Sequence, residues 1–125
     1  MQVEAWEDPE TGVRFYITHF DRAFTTGVTV LPPHTELSAH TRRDATENLV
    51  QIGGRSLVKL LDAKGVVLKE YILSIGDSLI IAEGGLHIHA NPYDEPSLTV
   101  FKAVGDTVDA VESLRQNFLS VVKSK

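Results

Sequence analysis

Gly76-Asp77-Ser78-Leu79-Ile80-Ile81-Ala82-Glu83-Gly84-Gly85-Leu86-His87-Ile88-His89-Ala90-Asn91 is the stretch that decides how this chain reads. A glycine turn leads into a short apolar strand, a second glycine turn follows, and the next strand carries a pair of histidines. Side chains alternate across a strand, so His87 and His89 share a face. Upstream, His40, Arg42, Glu47 and Gly54 form a second polar group in a comparable strand-and-turn setting. Together the segments predict a small β-barrel with a pocket lined by imidazole and carboxylate.

The flanking sequence supports a β architecture. Glycine and proline recur at short intervals: Gly12, Gly27, Pro32-Pro33, Gly53-Gly54, Gly65, Pro92, Pro96 and Gly105. Between them lie short segments rich in Val, Ile, Leu, Phe, Tyr and Thr, the pattern of many short antiparallel strands. Val13, Phe15 and Ile17 alternate with Arg14, Tyr16 and Thr18. Val28 and Val30 repeat the period. Residues 49–52 and 57–61 flank the Gly53-Gly54 turn. Asp62-Ala63-Lys64-Gly65 reads as a hairpin loop in which Gly65 supplies a positive φ. Residues 66–73, 79–81, 86–90 and 98–104 complete the β region. The tail changes period: Val108, Val111, Leu114, Phe118, Val121 and Val122 fall at helical spacing. This predicts a helix over about 107–122, with Asp106 or Thr107 as N-cap. It would cover the side or open end of the barrel, or else form a dimer contact.

Composition narrows the function. A chain of 125 residues supports a single domain, 1–125, around one core. Its net charge of −5 argues against nucleic acid or an anionic membrane as partner. The absence of cysteine excludes disulfides, thiolate metal sites and thiol nucleophiles, and fits a reducing cytoplasm, the expected location. Glu4, Glu7, Asp8 and Glu10 do not suit a signal peptide, and no apolar run is long enough to cross a bilayer. Neither Gly-x-Ser-x-Gly nor a P-loop pattern occurs.

With these residues in view, the chain resembles the cupin superfamily. Cupins carry a first motif of glycine, His-x-His, glutamate and glycine, and a second of glycine, a proline-x-glycine turn, histidine and asparagine. The second is matched by Gly76, Ala82-Glu83-Gly84, His87 and Asn91, with alanine where proline is usual. The first is matched by His40-Thr41-Arg42, Glu47 and Gly54, with Arg42 where the second histidine is expected. The likeness covers about Thr25 to Val104. It implies an all-β fold, the double-stranded β-helix or jelly-roll barrel, here followed by the C-terminal α-helix. It also implies a homodimer, with the N-terminal strand at the contact, and a small-molecule ligand or substrate.

The pocket chemistry follows. His40, Glu47 and His87 make a set of two histidines and one carboxylate with open positions, suited to a divalent Fe, Mn, Ni or Zn ion. His89 either lies deeper in the barrel or replaces the missing histidine; if it is not a ligand, it is the candidate for proton transfer. Arg42 is the candidate anchor for a carboxylate or phosphate. Leu49, Ile52, Leu79, Ile81 and Val100 are the expected apolar walls. Guanidinium offers a metal no lone pair. At ~5 Å from a divalent ion, with an effective dielectric of ~20, it would oppose binding by about 7 kcal/mol. Arg42 therefore turns outward, stands off beside an anionic substrate, or pairs with Glu47 and abolishes the metal site. Two classes of function follow. One is a metal-dependent enzyme of the dioxygenase, isomerase or lyase class acting on a small polar or anionic molecule. The other is a metal-free cupin, either a small-ligand binding module or a sugar-type epimerase or isomerase. His34 and His19 read as loop and strand-end residues, and Asn91 as a support for the turn before Pro92.

Overall fold

A computed structural model of the chain describes residues 3–40 and 45–121. Its strands are β1 (Glu4–Glu7), β2 (Arg14–Phe20), β3 (Phe24–Leu31), β4 (Thr35–His40), β5 (Ala45–Gly53), β6 (Ser56–Leu61), β7 (Val67–Leu73), β8 (Ser78–Ile81), β9 (His87–Asn91) and β10 (Ser97–Gly105). A helix, α1 (Val108–Asn117), and a short strand, β11 (Leu119–Ser120), follow. All pairings are antiparallel. The strands form a seven-stranded sheet in the order β11-β1-β2-β3-β10-β5-β8 and a four-stranded sheet in the order β4-β9-β6-β7.

The sheets pack face to face. One apolar cluster draws Leu49, Ile81 and Phe101 from the larger sheet and Val58 and Leu73 from the smaller. The β6–β7 hairpin forms as its residues dictate: Asp62 accepts the Lys64 and Val66 N–H groups on its carboxylate, and Gly65 takes a φ of 84°. A second glycine is required for space. A Cβ on Gly27 would lie 2.1 Å from the Tyr16 carbonyl oxygen and 2.8 Å from the Phe101 ring. Gly27 thus lets β3 approach β2 while Phe101 fills the interior.

Several apolar residues lie on the other face from the one their period suggests. On β3 the buried side chains are Thr25, Thr29 and Leu31, while Val28 and Val30 are only half-buried. On β5 the inward set is Ala45, Glu47, Leu49 and Gln51; on β10 it is Ser97, Thr99, Phe101 and Ala103. Ile52 and Val100, expected as pocket walls, fall on the opposite phase, and Ile52 is 47% exposed. The strand period of two that brings Glu47 inside turns them outward. Leu49, Leu79 and Ile81 do belong to the core cluster.

The helix covers the inner face of the larger sheet beside β2 and β3. Val111 is buried, and Leu114 and Phe118 pack against Val13, Phe15 and Leu31. Thr107 is the N-cap by position, but its hydroxyl bonds Thr25; Asp106 accepts the Val108 N–H instead. The helix stops at Asn117, short of the sequence expectation, whose last residue, Val122, lies outside the described residues. Phe118 is extended, its ring lies 5.8 Å from that of Phe15, and Leu119 and Ser120 add to the edge of β1. Strand pairing and an aromatic contact outweigh the helical period there. Within the chain, β1 pairs with β2 on one side and β11 on the other.

Arg115 ties this end together. Its Nε and a terminal nitrogen donate to the two carboxylate oxygens of Glu4 at 2.8 and 2.7 Å. The Arg115 hydrogen bond holds the Glu4 carboxyl below its usual value of 4.5. A carboxyl whose pKa is lower folded than unfolded adds stability above the unfolded value and loses it as pH falls through the folded one. Both groups are about one-third exposed, so the contribution is about 1 kcal/mol or less. We predict that Arg115→Met lowers stability by that amount near neutral pH and that the gap closes well below pH 4.5. Denaturant midpoints at the two pH values check this; an undiminished gap in acid would assign the effect to packing.

Candidate functional site

Strands β5 and β9 belong to different sheets, and their inward residues meet inside the barrel. Glu47 enters from β5, with Ala103 on β10 and Ile81 on β8 as its register neighbours. His87 opens β9, paired with Leu60 on β6 and with His40 on β4. The carboxylate and imidazole are 7% and 2% exposed, and His87 Nε2 lies 3.6 Å from Glu47 Oε2.

Hydrogen bonding fixes the His87 ring. Its Nδ1 is 3.0 Å from the Gly85 carbonyl oxygen, which can only accept. Nδ1 therefore carries a proton, and in the neutral ring Nε2 presents its lone pair toward Glu47. A backbone carbonyl on one nitrogen is how proteins orient a metal-binding histidine. The 3.6 Å separation is too long for a hydrogen bond. It suits two donors each about 2.0–2.2 Å from one ion. These two residues thus fit a divalent cation. The third expected ligand, His40, has its backbone opposite His87, and Arg42 lies outside the described residues. Among the described residues no group of three or more His, Asp or Glu is arranged to hold a metal.

His89 lies deeper. Its Nε2 is 3.0 Å from Ser56 Oγ, within a buried cluster that includes Gln51, Ser97 and Thr99. Sequence reasoning missed this cluster, although one signal was present: Gln51 lies two strand steps from Glu47 on the same face. Ser56, Ser97 and Thr99 carried none, because their partners lie 41 and 48 residues away in sequence.

Asn91 ends the inward row of β9. Its Nδ2 lies 3.0, 3.1 and 2.7 Å from the carbonyls of Leu31, Pro32 and Glu95, and its Oδ1 accepts the Tyr93 N–H. It supports the turn before Pro92, as expected, and also the β3–β4 connection. His34 and His19 stand apart from the pocket, paired with Asp94 and Asp21 on the surface.

The arrangement of two facing antiparallel sheets recurs in solved structures. The Schizosaccharomyces pombe Cnp3 cupin domain superposes with a TM-score of 0.66 at 14% identity, over 80% of this chain and 66% of that one. The chain has the cupin fold. TT1209 from Thermus thermophilus gives a TM-score of 0.67 at 15% identity, over 78% of this chain and 86% of that one. Recombinant oxalate oxidase in complex with glycolate gives 0.60 at 17% identity, over 66% of this chain but only 42% of the oxidase chain. No family model and no curated protein matches the sequence. Identities this low speak to fold alone. Among the described residues, no helix is long and apolar enough to cross a membrane.

Asn91 offers a test of how this end of the barrel is held. Removing its side chain takes a donor from three carbonyls and an acceptor from the Tyr93 N–H, bonds each worth ~1 kcal/mol. Asn91→Ala should therefore lower unfolding free energy by about 3 kcal/mol, measured by chemical denaturation. A loss below about 1 kcal/mol would mean that solvent reaches those carbonyls.

Proposed function

We propose that this cupin is a small metalloprotein in which His40, Glu47 and His87 hold a divalent ion, acting on a small polar or anionic molecule. The observation that carries this reading is the Glu47–His87 pair: buried, 3.6 Å apart, with the His87 ring fixed so that Nε2 turns its lone pair to the carboxylate. A divalent ion there would supply Lewis acidity and open coordination positions.

The chain's own residues have distinct tasks in this reading. The Gly85 carbonyl fixes the orientation of the His87 ring through Nδ1–H. Leu49, Ile81 and Phe101 keep water from the interior behind Glu47. Arg42, with a permanent charge and a planar fork of donors, binds a carboxylate or phosphate on the ligand. Glycolate bound to oxalate oxidase is a ligand of this kind. Dioxygenase, isomerase and lyase chemistry all remain within the proposal, because the fold hosts many reactions.

A second reading follows from Arg42 itself, which stands where the usual second histidine would be. If Arg42 pairs with Glu47, the barrel is a metal-free binding module or an epimerase-type site. Elemental analysis of protein purified without a histidine tag separates the two readings. We expect about one divalent ion per chain, near-complete loss of it in His87→Ala with the fold retained, and a chelator-induced drop in melting temperature for wild type only. Metal content unchanged in His87→Ala, or a wild type that stays metal-free after loading, would overturn the metal reading.

A further inference from the structure

We infer that Gln51, Ser56, Ser97 and Thr99 form a positioning device that locks His89 as its Nε2–H tautomer, the reverse of His87. The proton order is set at a backbone carbonyl, which can only accept. One end of the Gln51 amide lies 2.7 Å from the Gly53 oxygen. That oxygen only accepts, so this end is the NH2 group, which also donates to Ser97 Oγ at 3.0 Å. Gln51 Oε1 is then the atom facing Ser56 Oγ and Thr99 Oγ1, each at 2.8 Å. An amide oxygen only accepts, so both hydroxyls donate to it.

Ser56 has now used its single proton. Its 2.6 Å contact with Ser97 Oγ must be donated by Ser97. Its 3.0 Å contact with His89 Nε2 must be donated by the imidazole. Thr99 Oγ1, whose proton is also committed to Gln51, lies 3.4 Å from the same nitrogen as a second, weaker acceptor. The 3.3 Å approach of Ser56 to Thr99 is then two hydroxyls sharing one acceptor. The cluster is fully buried, with Gln51, Ser56, Ser97 and Thr99 all at 0% exposure, so water does not compete for these bonds.

With Nε2–H committed, neutral His89 is an acceptor at Nδ1. The tautomer follows from these hydrogen bonds and does not depend on the proposed metal.

Long-range 1H–15N spectra of the uniformly labelled full chain, at about pH 8 where an ordinary imidazole is neutral, read the tautomers directly. We expect His89 with protonated Nε2 and unprotonated Nδ1, and His87 reversed. Ser97→Ala should leave the His89 pattern intact, because Ser56 still donates to Gln51. Gln51→Met frees the Ser56 proton to turn toward the ring, and should raise the Nδ1–H form of His89 at least tenfold. Wild-type His89 protonated on Nδ1 would overturn the inference, as would a Gln51→Met spectrum identical to wild type. If that variant does not fold, the wild-type spectrum decides. Absence of metal together with the expected tautomers would sink the metal reading and leave this one standing.

Discussion

A carboxylate and an imidazole held in facing sheets, almost out of reach of water, form the constraint around which this barrel is organised. Their placement follows from two registers. The β5–β10–β8 pairing brings Glu47 inward, and the β4–β9–β6 pairing does the same for His87. Shifting either strand by one residue would turn its whole inward row to the outside. The fold and the candidate site are therefore specified by the same hydrogen bonds.

Below this pair the interior is not a simple hydrophobic core. Leu49, Val58, Leu73, Ile81 and Phe101 make an apolar cluster, and the Gln51–Ser56–Ser97–Thr99 cluster joins the two sheets through hydroxyls and an amide. Polar groups in such a place stabilise only when all are satisfied, and misplacing one is costly. The arrangement favours a single register between the sheets, where an all-aliphatic interior would tolerate sliding.

Much of this was legible in the sequence. The turn–strand–turn–strand reading of residues 76–91 matches β8, β9 and the glycine turns around them. The Asp62–Gly65 loop and the tail helix were readable because their signals are local, in a turn residue and a 3.6-residue period. Cross-strand effects were not. Val28 and Val30 suggested an inner face, but the room required by Phe101 puts Gly27 and the threonines inside. Ile52 and Val100 misled for the same reason: apolar character marks a strand but not which side faces in when both sides carry aliphatics. The end of the helix at Asn117 depended on the edge of β1, more than a hundred residues earlier. His40 and Glu47 were suggested by motif spacing, and the structure supplies the pairing of Glu47 with His87. The cluster below His89 had no sequence signature, since serine and threonine ordinarily signal surface or turn.

The union of β11 with β1, clamped by Glu4 and Arg115, has a consequence for biosynthesis. Strand β1 leaves the ribosome long before β11, so one of its edges waits until residues 115–120 have been made. Throughout that stretch of translation the edge is an open template, bearing Ala5 and Trp6, for any other nascent chain on the same message. Arg14 bonded to Glu7, and the charge of Glu4 before Arg115 arrives, make it a poor template during that interval.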